Sequence, residues 1–195
     1  MKLFDQLKEW LGRRALLRDP MPDRKPIPRN LAHAGKVGIV YLATDEAAYN
    51  HVRNYVKKLK EELGLHRIQC IGYVDKKDLP HYMIPKLNFD PICQKDLNWY
   101  RIPGGNTVNN FIAEEFEVLI DLTLEEYLPV QYIVAKSRAR FKVGRFSENG
   151  KRFLDMMIDM AGGQSLPQLI TQVDRYLLMI NARSEGKPTS EHSLN

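Results

Sequence analysis

Very little in this 195-residue chain can hold a metal ion or a disulfide framework. Cysteine occurs twice, as Cys70 and Cys93, with no CxxC spacing and in apolar surroundings, so both read as buried free thiols. His33, His51, His66, His81 and His192 are scattered without HxxxH or Cys/His spacing, which argues against a structural zinc site. Glycine is missing where a dinucleotide would need it. The turn after the first strand reads Ala43-Thr44-Asp45-Glu46-Ala47, with no GxGxxG and with two acids that repel a pyrophosphate. There is no GxxxxGK[ST] loop and no GxSxG elbow. The expectation is therefore no cofactor and no metal. Nor does any apolar run reach the roughly 18 residues that suggest a membrane span. Asp5, Lys8 and Glu9 interrupt the start of the chain before a secretory apolar core can form. These features predict a cytoplasmic protein without a transmembrane segment.

What is present is an ordinary globular composition, 44% apolar and 27% charged, in a length that suits one core plus extensions. The formal charge of +5 belongs to one end. Residues 1–36 carry nine Lys or Arg against four acids, and the rest of the chain balances. Any electrostatic partner, a protein or an anionic surface, is expected at residues 1–36.

Residues 2–18 place Leu3, Phe4, Leu7, Trp10 and Leu11 at helical spacing with basic groups opposite, a basic amphipathic helix. Such a helix can lie on an anionic membrane, contact RNA or a ribosomal surface, or fold back onto its own domain; Asp5 and Glu9 weaken the first two. Pro20, Pro22, Pro26 and Pro28 then make residues 19–35 a semi-extended linker. From residue 36 strands alternate with helices. Lys36–Ala43 reads as a strand, followed by a helix capped by Thr44 or Asp45 and stopped at Gly64. Arg67–Val74 is the second strand, with a polar exit from Asp75. Phe89–Cys93 and Leu97–Tyr100 compete for the third, the former favoured. Pro103-Gly104-Gly105 turns into a short helix, a weak signal for an anion at its N-terminus.

The apolar run Phe116–Thr123 suits a strand covered on both faces. A helix over 125–137 and a strand at Ala139–Val143 complete a βαβ unit with parallel strands. Arg152–Met160 reads as a last strand. The final helix starts at a capping box, Ser165 with Gln168, and carries Pro167 in its first turn. Residues 182–195 have no apolar periodicity and are expected to be a disordered tail. The whole predicts a single Rossmann-like α/β domain at 36–181, a mostly parallel sheet of five or six strands with helices on both faces.

Polar residues at the predicted carboxyl ends of the strands are Thr44 and Asp45, Asp75 and Lys76, Asp121 and Thr123, Arg145, and Asp159. If the first and central strands are neighbours, Thr44, Asp45, Asp121 and Thr123 share one crevice with Arg145 one strand away. Asp45 or Asp121 could then act as a general base or orient a small ligand. Strand-end aspartates also cap helices and satisfy loop amides, a purely structural use that competes with this one.

The segments Lys95-Asp96-Leu97-Asn98-Trp99-Tyr100, Phe116–Thr123, Ala135–Gly144 and Asp155-Met156-Met157-Ile158-Asp159 together resemble a family of short bacterial proteins known only as a domain of unknown function. The likeness spans about residues 30–181 and implies the fold and a bacterial cytoplasmic setting, without an activity. More distantly, the central strand, helix and following strand are similar to the N-terminal half of heptosyltransferase-type glycosyltransferases. Thr44 stands where that family has glycine, and its nucleotide-sugar domain has no counterpart here. The function expected from these features is a non-enzymatic binding or interaction protein with a basic arm. The alternatives are an enzyme acting on a sugar, nucleotide or phosphorylated metabolite at the strand ends, and a nucleic-acid- or ribosome-associated protein.

Overall fold

The computed structural model describes residues 2–160 and 165–180; the tail expected at 182–195 lies outside them. Six strands, β1 (Val37–Leu42), β2 (Ile68–Tyr73), β3 (Phe89–Ile92), β4 (Val118–Asp121), β5 (Lys142–Arg145) and β6 (Met156–Ile158), form one sheet in the order β3-β2-β1-β4-β5-β6. Every pairing is parallel. The order reverses between β1 and β4, which is the topological switch point of a doubly wound fold.

Side chains alternate across the sheet and divide the core in two. Ile39, Tyr41, Cys70, Val118 and Ile120 face α2 (Glu46–Leu63) and α5 (Leu166–Met179). Val40, Leu42, Ile71 and Leu119 face α3 (Gly105–Ala113) and α4 (Leu128–Lys136). Burial on both faces explains why the strands read as continuous apolar runs. In the register Tyr41 pairs with Gly72, and the Tyr41 ring fills the space where a Cβ on Gly72 would stand, 2.3 Å from Cζ.

Local signals set the helix ends. Asp45, not Thr44, caps α2 by accepting from Ala48 N at 2.7 Å, and Gly64 ends it in the left-handed region at φ 66. Both halves of the Ser165/Gln168 capping box form at α5. Between α2 and α5, Tyr55 and Lys58 both donate to Asp174 at 2.6 Å.

Several boundaries differ from those the sequence suggests. Helix α4 starts at Leu128 rather than at residue 125, because Pro129 has no N–H for the Glu125 carbonyl and is tolerated only in a first turn. Strand β5 runs over Lys142–Arg145, later than expected, since Gly144 and Arg145 are drawn in by Met157 and Ile158 of β6. Strand β6 is only three residues, because Gly150–Arg152 coils into a 3-10 turn and Asp155 turns to hold other groups. The third strand is Phe89–Ile92; Leu97 instead bridges Pro103 and closes a loop.

The N-terminal helix α1 (Lys2–Arg18) folds back on the domain and lies against α4. It does so through Gly12 and Leu16 rather than through Leu7 and Trp10 of the apolar stripe. Gly12 and Leu16 are buried, whereas Leu7 and Trp10 are about half exposed. A Cβ on Gly12 would stand 2.2 Å from the Tyr100 carbonyl oxygen and 2.5 Å from Leu128 Cδ2, so glycine sets the approach. Residues 19–35 are strapped to the domain: Arg24 holds Asp155 in a bidentate pair at 2.6 and 3.0 Å, and Asn30 donates to the Leu178 and Ile180 carbonyls. Leu31 is fully buried on the α2/α5 side.

Candidate functional site

Parallel pairing of β4 with β5 brings Asp121, Thr123 and Arg145 to one cleft, which Thr44 and Asp45, beyond the end of β1, do not line. Thr44 is exposed, and the exposed Asp45 carboxylate is committed to its helix cap. Asp121 is almost buried, and its Oδ1 accepts from Thr123 N at 3.0 Å and from Thr123 Oγ1 at 2.6 Å. Burial pushes its pKa up to about 6 against the lowering effect of those bonds and of Arg145. Such a carboxyl is suited to proton transfer near neutrality. Its cleft, walled by Phe153 and Leu154, measures only about 20 Å³, which is room for a water molecule. Lys76 and Asp159 are exposed and do not line this cleft. Gly104 caps α3 and Gly105, at φ 87, opens it, so this glycine pair serves the turn.

The open volume lies one strand over, beyond the carboxyl end of β2. A cleft of about 230 Å³ is lined by Tyr73, Asp75, Arg101, Glu126, Tyr127 and, from α1, Glu9. Asp75 anchors it. Its Oδ1 accepts from Tyr73 Oη at 2.8 Å and Gln94 Nε2 at 2.9 Å, and Oδ2 accepts from Tyr127 Oη at 3.4 Å. Partial burial alone would raise the Asp75 pKa, but these bonds and the Arg101 charge carry it below the ordinary carboxylate value. Glu126 is likewise lowered on balance: burial is outweighed by hydrogen bonds from Asn149 and Ser147 and by the charge of Arg13. Both acids are therefore ionised at neutral pH.

Arg101 faces this acidic setting from a loop built to present it. The Asn98 side chain accepts from Tyr100 N at 3.1 Å and Ile102 N at 2.9 Å, and the Asn98 carbonyl accepts from Arg101 N. The loop holds Arg101 at φ 69, a left-handed conformation costly for an arginine. Its guanidinium forms no ion pair or hydrogen bond among the described residues and remains available to a ligand. Sequence reasoning singled out Asp75 and missed Arg101, Tyr73, Tyr127, Glu126 and Glu9. The one available signal was Asn98 ahead of Trp99-Tyr100-Arg101, a residue that bonds its own backbone in turns.

Lys142 was also missed. It is buried on β5, donates to the Ala135 carbonyl at 3.0 Å and caps the last turn of α4. Burial first, and the nearby Arg24 charge second, lower its pKa to about 7 despite Asp155. Burial also raises both thiols, Cys70 and Cys93, and both are free. Among the described residues no group of three His, Cys, Asp or Glu could hold a metal ion. No described helix is long and apolar enough to cross a membrane.

Among protein families, the model of a family of unknown function, DUF6913, matches residues 13–180, from the middle of α1 to the end of α5. No curated protein matches the chain.

Proposed function

The chain belongs to that family of unknown function, and we propose that it is a non-enzymatic binding protein whose β2 cleft takes a small carboxylate bearing hydroxyl or amino groups. The observation that carries this reading is Arg101, a guanidinium with no hydrogen bond or ion pair among the described residues, held at φ 69 in the same cleft as Asp75. A guanidinium pairs with a carboxylate in a fork geometry. The ionised Asp75 and Glu126 accept from hydroxyl or ammonium groups on the same ligand, and Tyr73 and Tyr127, with ring centroids 6.1 Å apart, supply an apolar wall. Three carboxylates around one arginine disfavour a phosphate, whose extra charge they would repel. The cleft volume suits a molecule the size of an amino acid or a small hydroxy acid. The arm of residues 1–36 serves as an auxiliary contact, and the setting of the reading is the bacterial cytoplasm.

The test is a thermal-shift and calorimetric panel of amino acids, hydroxy acids, sugars and sugar phosphates. Hydroxy or amino carboxylates should bind, and Arg101→Met should weaken them roughly ten- to hundredfold, the value of one charge-assisted hydrogen bond. Affinity for the sugar phosphates alone, or affinity unchanged in Arg101→Met, would refute the assignment. A second reading, an enzyme acting through Asp121, is favoured only by the raised pKa of that carboxyl. Turnover of any panel member that Asp121→Asn abolishes would establish it.

A further inference from the structure

The outward side of α1 carries an apolar stripe that the described residues leave about half exposed. Leu7, Trp10 and Leu17 recur at helical spacing and are 48%, 53% and 53% exposed, Leu17 at the edge where it also lines a small groove with Leu16, Met21 and Phe153, while the inward side is Glu9, Gly12, Arg13 and Leu16. Single exposed apolar residues are commonplace, but a row of them along one helix marks a contact surface. The charges on the two sides differ in the same way. Glu9 is paired to Arg13 at 3.0 Å, and Arg13 also approaches Glu126 at 3.9 Å, so Glu9, one of the two acids that weaken an anionic partner, is turned inward. Outward stand Arg14, whose Cζ lies 5.2 Å from the Trp10 ring centroid, and the exposed Arg18. No described carboxylate of α1 accompanies them.

We infer that α1 docks the protein on an anionic lipid surface, with Leu7, Trp10 and Leu17 entering the headgroup boundary and Arg14 and Arg18 at the lipid phosphates. The inference names the partner of the auxiliary contact assigned above to residues 1–36. It uses the side of α1 opposite the ligand cleft. An interfacial helix has this pattern: leucine and tryptophan on one face, flanked by arginines whose stems reach back to the surface. A tryptophan suits the boundary because its ring is apolar and its N–H stays in the hydrated layer. RNA fits less well, since exposed leucines offer a phosphate backbone nothing and discourage approach by a solvated strand. The inward anchor is compatible with docking, because Gly12 seats α1 on the Tyr100 backbone and leaves the outward side clear.

The experiment is co-sedimentation of the full chain with vesicles of phosphatidylcholine, with and without about one quarter phosphatidylglycerol. Trp10 fluorescence is followed in a Trp99→Phe background, because these are the two tryptophans and Trp99 is exposed. Binding should require the anionic lipid, shift Trp10 emission to the blue and weaken as salt is raised. Arg14→Gln and Arg18→Gln should each lower affinity about fivefold. Leu7→Glu with Leu17→Glu should abolish binding while leaving the circular dichroism unchanged, since neither side chain is in the core. Arg101→Met should bind vesicles normally, which separates this result from failure of the ligand reading. Absence of binding to anionic vesicles would overturn the inference, as would equal binding to neutral ones. A dimer or an RNA complex dissolved by the same double substitution, without vesicle binding, would assign the stripe to that partner instead.

Discussion

Replacing Lys142 by Met should change stability with a sign that depends on pH. The folded state holds this lysine at about 7, against 10.5 for the ordinary side chain, because β5 carries it into the core beneath α4. Between those values the unfolded chain binds the proton more readily, so stability contributed at this site rises with pH from about 7 to 10.5 and is lost on the way down. Below 7 both states are protonated and the penalty stays constant. A separation of about 3.5 pH units, at about 1.4 kcal/mol per unit, sets an upper bound near 5 kcal/mol for the cost of burying the charged amine. Methionine removes that cost but leaves the Ala135 carbonyl without its donor, a loss of about 1–3 kcal/mol. Lys142→Met should therefore be more stable than the parent at pH 6 by about 2–4 kcal/mol and less stable at pH 10 by up to about 2 kcal/mol, since some of the penalty persists just below 10.5. Urea unfolding of both proteins at pH 6, 8 and 10 gives the difference directly, and titrations elsewhere cancel. A difference that is flat across this range would mean that Lys142 titrates as an ordinary lysine and would refute the reasoning.

Three further outcomes are expected. Asp121→Asn keeps an acceptor for Thr123 N and removes a carboxyl whose folded pKa, about 6, lies above the ordinary 3.8. The folded state holds this proton more tightly, so the site's stability is complete below about pH 4 and lost as pH rises through 6. Denaturation at pH 8 should show Asn more stable by about 1–3 kcal/mol, and no gain at pH 4. Gly12→Val sets a side chain against the Tyr100 carbonyl and should lift α1 away; amide exchange should rise over residues 2–18 while the melting temperature of the α/β core changes little. Arg101→Gly relieves a left-handed residue and should raise stability by about 1 kcal/mol in urea unfolding while abolishing ligand binding.

The βαβ centre was legible because its chemistry is one-dimensional. Leu119 and Ile120 face opposite helical layers, so both must be apolar, and no polar residue interrupts β4 until Asp121. Helix ends were legible where a side chain bonds its own backbone, at Asp45 and at Ser165 with Gln168. What sequence alone did not disclose depends on residues far apart in the chain. Gly144 and Arg145 join β5 only because β6 arrives beside them. The orientation of α1 is fixed by a glycine that fits under a carbonyl some ninety residues later, while Leu7 and Trp10, which apolar periodicity would turn inward, stay outside.

The location of the open cleft follows from the same kind of non-local cause. In a sheet of this order, ligands are expected at the reversal between β1 and β4. Here the Asp121-Leu122-Thr123 turn bonds to itself and Phe153 with Leu154 close over it, so the cleft at the end of β4 shrinks to the volume of a water. The connection from β2 to β3 contains no helix, and the carboxyl end of β2 is left to be walled by parts from elsewhere: Glu9 of α1, Arg101 of the Asn98 loop, and Glu126 and Tyr127 ahead of α4. Each wall comes from a different segment, and one of them is held by a backbone conformation that arginine adopts only at a cost. A fold that needed only to pack would place glycine or asparagine at residue 101. The arginine, without an ion pair among the described residues and beside an ionised Asp75, is what supports reading this cleft as a binding site rather than a gap between elements.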